Sequence, residues 1–288
     1  MLQILINGLI SGLLLALVAL GFHIIFKTTS VFHIAHGALY VTGAYMSYWL
    51  NPLVGAIPSF ICSIVVVFLL GLVIEWMVYK PISKKSNNQN IALISSLGVY
   101  LIIINIIALL AGNGMIILDN TIRKSLTIGT VIITQPQLWQ IYIVLPLIIA
   151  FLLGNHFSGL GLKIRAVSDN ATLAKVIGIK TSKIRYLVFG LGSVMAAIAA
   201  ILKGYDTGID PYSGMSVTLS AAVVVIVGGN YSIYGTLIAA VLLAILQNFT
   251  EYFLSTQWKE PVTFAILILV LLWRTEGILQ FNNRSDEK

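Results

Sequence analysis

Apolar positions run through this chain in long unbroken stretches, not in the alternating or one-sided patterns of elements that face water on one side. Such stretches predict helical spans over Ile4–Phe26, Ile34–Leu50, Ile57–Tyr79, Ile91–Ala111, Leu138–Gly154 and Ile184–Leu202. A further apolar piece, Val217–Leu254, is interrupted by Gly228-Gly229-Asn230-Tyr231-Ser232-Ile233-Tyr234-Gly235, and a last span covers Val262–Trp273. One straight helix over Val217–Leu254 would far exceed the bilayer at 1.5 Å per residue, while two full helices do not fit around a break near Gly229. The pattern therefore predicts an all-α polytopic membrane protein with about eight membrane segments, one of them broken or re-entrant near Gly228–Gly235. Irregular backbone at membrane depth needs protein or a water-filled cavity around it, so the break is a candidate segment of a transport pathway.

Composition sharpens this picture. Of 288 residues 58% are hydrophobic and 9% charged, against about 25% charged in an ordinary soluble domain. The net charge of +7 does not point to nucleic acid, because the basic residues lie in short loops where they orient spans in the membrane. Placing Lys27, the Lys80–Lys85 group, the loop from Lys163 to Arg185 and the tail after Trp273 in the cytoplasm puts 13 of the 17 basic residues there, leaving Arg123, Lys124, Lys203 and Lys259 outside. This orientation requires Val217–Leu254 to enter and leave on the same outer side, and it puts the C-terminus inside. The first apolar stretch has no basic segment before it and no small-residue cleavage site after it, and reads as a retained span. Cys62, the single cysteine, reads as a core residue and excludes an internal disulfide.

The loop of residues 155–185 carries the most chemistry outside the spans. Arg165-Ala166-Val167-Ser168-Asp169-Asn170 leads into Ala171-Thr172-Leu173-Ala174-Lys175-Val176-Ile177-Gly178-Ile179. The spacing predicts a short helix capped by Ser168 or Asp169, closed by a left-handed Gly178, with Ala171, Ala174 and Ile177 on one side. Such a helix either docks into a groove on a cytoplasmic partner or rests on lipid. His33 and His36, three apart, read as structural hydrogen-bonding groups before metal ligands, since no further ligands or supporting acids are near. Glu75 and Glu251 are placed to reach the interface or a neighbouring base. Asp119, Asp206 and Asp210 with Pro211 are either turn residues or part of an outer docking face. Ser193 in Gly190-Leu191-Gly192-Ser193 has no histidine in its span to activate it, which argues against an intramembrane enzyme.

The stretch Arg165–Ile179 resembles the coupling loop of branched-chain amino-acid ABC transporter permeases. Ala35-His36-Gly37 with Gly43-Ala44-Tyr45 is similar to that family's Ala-His-Gly segment. Gly228-Gly229, Ser232 and Gly235 resemble its Gly-Gly-x-Gly-Ser-x-x-Gly segment, and Arg274 with Gly277-Ile278-Leu279 resembles its terminal Arg-Pro-x-Gly-Leu. His33, Ile34, Ala38, Tyr231 and Thr275 depart from the family pattern. The resemblance implies a single permease domain over residues 1–288 of a bacterial or archaeal inner membrane. It implies a transport pathway at Ala35, His36, Gly37, Gly43, Gly228, Gly229, Ser232 and Gly235, and ATPase coupling through Arg165, Asp169, Ala171, Ala174, Gly178 and Ile179. The implied partners are ATP-binding subunits, a second and different permease chain, an extracytoplasmic solute-binding protein and membrane lipid, with no nucleic acid. No cofactor is expected in this chain: it lacks a Gly-x-x-x-x-Gly-Lys-Ser/Thr loop, so ATP is expected on a partner. The competing class is a passive channel or ion-coupled carrier for a small polar solute such as urea or an amide; it needs no coupling helix, and a carrier needs mid-span ionisable groups, which are scarce here.

Overall fold

A computed structural model describes residues 1–85, 89–118, 125–229 and 232–274. In chain order it contains α1 (Leu2–Thr29), α2 (Ala35–Val54), α3 (Ala56–Ile74), a wide turn at Glu75–Tyr79, α4 (Lys80–Lys85), α5 (Gln89–Ala111), β1 (Ser125–Ile128), β2 (Val131–Thr134), α6 (Gln135–Phe157), α7 (Gly159–Asp169), α8 (Ala171–Val176), α9 (Thr181–Asp206), α10 (Ser213–Gly228), α11 (Ile233–Phe253), a 3₁₀ turn at Thr256–Trp258 and α12 (Lys259–Trp273). Among the described residues six helices are long and apolar enough to cross a membrane: α1, Ala56–Ser83, α5, α6, α9 and α11. The chain is thus helical and polytopic, with six such helices against about eight expected segments. Helix α2 is not among the six, α10 has 16 residues and α12 has 15.

Burial sorts the helices into a centre and a rim. The apolar windows of α1 and α9 are 72% and 78% buried, while those of α3, α5 and α6 stay below 30%, leaving apolar faces for lipid or another apolar surface. The first half of α2 lies wholly inside, with every residue from Ala35 to Tyr45 buried. Between α1 and α2 the chain turns at Ser30, the one described non-glycine residue with positive φ (55°), and doubles back. His36 then lies against Val18 and Gly21 of α1, roughly three turns back from the end of that helix.

Glycine permits this close packing. A Cβ on Gly21 would stand 2.7 Å from the carbonyl oxygen of Gly192, and one on Gly192 would stand 2.8 Å from that of Gly21. The helices α1 and α9 therefore cross with their backbones in contact, the small-residue packing common in membrane bundles. Gly43 brings α2 against Ala197 of α9 in the same way, at 2.7 Å from its Cα.

The two ends of the bundle are chemically distinct. At one end Thr28 meets Ser168, Lys80 donates to the Tyr186 hydroxyl and Arg185 pairs with Glu75. At the other, Gln3 bonds both the carbonyl and the amide of Ile132, Asn51 donates to the Leu118 carbonyl, and Asp206 accepts from Thr134 and Gln140. Lys80 and Arg185, assigned to one side by charge alone, thus lie at one end.

The all-α architecture carries one small addition: β1 and β2 form an antiparallel hairpin, Ser125 opposite Thr134 and Ile128 opposite Val131. The β-branched alternation Thr127-Ile128-Gly129-Thr130-Val131-Ile132 favours strands, and Gly129 takes φ 62° in the turn. The interrupted piece is broken as expected, into α10 and α11; α10 begins four residues before the apolar run, at Ser213, and its 16 residues leave it short of the six long helices. Asp210 starts it, its carboxylate accepting from the Tyr212 amide and its carbonyl from the Ser213 hydroxyl. The break is also shorter than expected: Gly228 ends α10, Gly235 is already inside α11, and Gly229 (φ 98°) and Ser232 flank residues 230 and 231, which lie outside the description. Finally, Cys62 is exposed on α3 and is not a core residue.

Candidate functional site: a buried seam on α1 and a capped loop at the basic end

Two groups of residues expected to line a pathway meet the same stretch of α1. His36 is fully buried and its Nε2 donates to the Val18 carbonyl (3.2 Å), since a carbonyl can only accept. Gly37 packs so tightly on α10 that a Cβ there would overlap the Gly214 carbonyl, and one on Gly214 would overlap that of Gly37. The amide of Ala35 donates to Ser96 on α5 (2.9 Å). From the other side of the sequence, the α10–α11 turn closes on itself through Gly228 and Gly235, each lying where a Cβ on the other would sit. Ser232 caps α11 by accepting from the Gly235 amide (3.0 Å). One residue on, the Thr236 hydroxyl lies 3.2 Å from the Ser232 carbonyl and hydrogen-bonds Nδ1 of His23 at 2.7 Å.

Val18–His23 is therefore the common seam: α2 begins against it and the α10–α11 turn folds against it. Gly43 sits further along α2 as a packing contact. His33 does not share a helix face with His36, because α2 starts only at Ala35. Both imidazoles are hydrogen-bonded structural groups, His33 through Nδ1 to the Tyr79 hydroxyl at 2.7 Å. Among the described residues no three His, Cys, Asp or Glu side chains gather as a metal site.

The loop at the basic end is two helices instead of one. Ser158 caps α7 through the Gly161 amide, and Asn170 caps α8, its Oδ1 accepting from the amides of Thr172 and Leu173 at 3.0 Å each. Ser168 and Asp169 are not the caps, since both lie in the last turn of α7. Gly178 adopts φ 88° as expected, and the end closes with Ile179 donating to the Ala174 carbonyl and Gly178 to that of Lys175. Arg165 ties the loop to the end of α6 through the carbonyl of Asn155.

Ala174 corrects the expected outward face. It is 2% exposed and belongs to a core with Ile164, Val167 and Ile184. The outward residues are Leu173, Val176 and Ile177, at 61%, 78% and 72% exposed, with Ala171 and Lys175 beside them. Sequence periodicity misses this because a six-residue helix that is apolar nearly all round does not say which side the smallest residue takes.

Other expected residues find structural roles. Glu75 pairs with Arg185 and Glu251 with Lys259. Asp206 ties the end of α9 to the start of α6, and Ser193 donates to the Phe189 carbonyl (2.6 Å). Asp119, Arg123, Lys124, Tyr231, Thr275 and Gly277-Ile278-Leu279 lie outside the described residues.

Comparison with known proteins decides what these features belong to. The family model described as "Branched-chain amino acid transport system / permease component" matches residues 4–271. The chain belongs to this permease family. The high-affinity branched-chain amino acid transport system permease protein LivH of Escherichia coli K12 is 30% identical, over 96% of this chain and 95% of its own. BraD of Pseudomonas aeruginosa is 29% identical over 96% and 95%, and a probable LivH of Methanocaldococcus jannaschii is 27% identical over 96% and 91%. At the level of fold alone, the permease resembles a chain of PsaBC from Streptococcus pneumoniae in complex with Fab, with TM-score 0.54, 11% identity, and 92% and 90% of the two chains covered.

Proposed function

We propose that this chain is the membrane-spanning permease subunit of an ATP-driven importer that translocates branched-chain or related amino acids delivered by a solute-binding protein. The observation that carries the reading is the family match over residues 4–271, joined to relatives aligned along nearly their whole length. The capped loop supports it: α8 presents Leu173, Val176 and Ile177 at the basic end of the bundle, as a helix-in-groove contact with an ATP-binding subunit requires. That end is cytoplasmic by the excess of Lys and Arg. Helix α12 starts near Glu251 at the opposite end and heads back, which carries the C-terminus to the cytoplasm. ATP is bound and hydrolysed by partner subunits, a second permease chain completes the pore, and solute passes along Val18–His23 of α1 beside Ala35–Gly37 and the Gly228–Gly235 turn.

In proteoliposomes, the chain with its ATP-binding subunits, second permease and binding protein should accumulate leucine, isoleucine or valine only when ATP is supplied on the nucleotide-binding side. Accumulation by the chain alone, without ATP, would replace this reading with an ion-coupled carrier.

A further inference from the structure

The helix that runs from Ala56 through Ser83 is irregular at one turn. At Glu75–Tyr79 the backbone widens, and the Lys80 amide donates to the Glu75 carbonyl five residues back instead of four. Single wide turns of this kind insert one residue into an α-helix and collect at functional positions. Here both ends of the turn carry buried polar side chains, while Trp76 and Met77 between them are exposed.

At one end Glu75, 2% exposed, receives a fork from Arg185, with Nε at 2.7 Å and Nη2 at 3.3 Å. Arg185 stands at the start of α9, seven residues after the glycine that closes α8. At the other end the Tyr79 hydroxyl lies 2.7 Å from His33 Nδ1 and donates to Ser96 Oγ at 2.8 Å, and that same Oγ receives the amide of Ala35, the first residue of α2. An unbroken series of directional contacts therefore runs from the basic-end loop through Arg185, Glu75, the wide turn and Tyr79 to the buried start of α2. Forked charge-assisted bonds hold geometry more strictly than apolar contact does. A cavity of about 370 Å³ is lined both by Val167, Ser168 and Ala171 of the loop and by Tyr79 and Arg185 of this chain of contacts. The loop has room to shift, whereas the close-packed α1–α2–α9 crossing does not deform continuously.

We propose that the Glu75–Tyr79 turn transmits displacement of the α7–α8 loop to the start of α2, with Glu75 and Tyr79 as positioning residues for transport coupling. The proposal rests on the importer reading above. Motion of α8 moves the start of α9, Arg185 carries Glu75 with it, the wide turn yields, and Tyr79 shifts His33 and Ser96 against Ala35. Removing one residue from the turn would rotate Tyr79 by about 100° relative to Glu75 and disconnect the two ends.

The test uses the complete importer in proteoliposomes, reading solute imported per ATP hydrolysed, together with complex assembly and ATPase stimulation by loaded binding protein. Tyr79→Phe keeps the ring against Phe189 (centroids 5.1 Å apart) but removes both hydroxyl bonds. Glu75→Gln weakens the Arg185 fork, and deletion of Met77 restores a regular helix. Tyr100→Phe, which removes another buried hydroxyl in α5, is the control. The expected result is normal assembly and stimulation in Tyr79→Phe and Glu75→Gln with solute per ATP lowered about fivefold or more, the Met77 deletion at least as low, and Tyr100→Phe unchanged. Wild-type stoichiometry in Tyr79→Phe and Glu75→Gln, or an equal loss in Tyr100→Phe, overturns the proposal. A wild-type complex that hydrolyses ATP without importing any solute overturns the importer reading instead, and the proposal with it.

Discussion

Replacing Val176 by aspartate on the outward side of α8 separates two explanations for why that helix exists. Val176 is 78% exposed in this chain, and Leu173 and Ile177 beside it are 61% and 72% exposed. Burying such a side chain fully is worth about 1.5–3 kcal/mol, so a partner groove that covers the remaining surface gains about 1–2 kcal/mol from each, or roughly 5- to 30-fold in affinity. Val176→Asp forfeits that gain and adds an unpaired charge in the groove, costing several kcal/mol. The isolated subunit barely notices, because the new charge faces water when no partner is present. Ala174→Asp behaves in the opposite way: Ala174 is packed against Ile164, Val167 and Ile184, so the charge disrupts the permease fold itself. The assay pairs thermal unfolding of the detergent-purified subunit with its affinity for the ATP-binding subunits. Val176→Asp should keep the melting temperature and lose binding, and Ala174→Asp should lower the melting temperature. If Val176→Asp bound the ATP-binding subunits as tightly as wild type, α8 would be a helix lying on lipid.

Two further substitutions test backbone requirements. Gly178→Val forces a β-branched residue into φ 88°, costing about 1–2 kcal/mol; faster amide exchange at position 178 and at Ile179 is expected, with the transmembrane core unchanged. Gly192→Ala should lower the melting temperature of the subunit because its Cβ would meet the Gly21 carbonyl at 2.8 Å, whereas Gly98→Ala, with nothing within 4 Å, should leave it unchanged or slightly raised; equal melting temperatures would disprove backbone contact between α1 and α9.

Most of the fold is legible in the sequence where apolar length alone decides structure. Helices α1, α5, α6 and α9 lie where their apolar runs lie, and the Gly178 turn follows from a residue type suited to positive φ. The basic residues also predict which loops share an end, because they act through a long-range bias and not through specific contacts. What the sequence withholds depends on partners far along the chain. That Gly37 faces Gly214, Gly21 faces Gly192 and Gly228 faces Gly235 is a matter of tertiary register, and a glycine carries no mark of the helix it will meet. The wide turn at Glu75–Tyr79 is invisible for a related reason: Glu75 takes Arg185 from another helix, not Lys80 from its own. Asn170 overrides Ser168 and Asp169 as the cap because α7 runs on through both of them.

Helix α2 poses a problem of timing during synthesis. Its His36, Tyr40, Thr42, Tyr45 and Ser47 are buried because α3, α5, α9 and α10 pack around the helix; set alone in hydrocarbon, several of these groups would each cost a few kcal/mol. Helices α3 and α5 follow at once, but α9 begins only at Thr181, and at 5–20 residues per second it starts to leave the ribosome roughly 6–25 s after α2 is complete. For that interval α2 lacks the helix against which it packs most extensively in the finished protein. It must wait in the insertion machinery, beside water, or against a chaperone. The order of translation therefore leaves the newborn permease vulnerable at a helix whose polar face is well enclosed once folding is done.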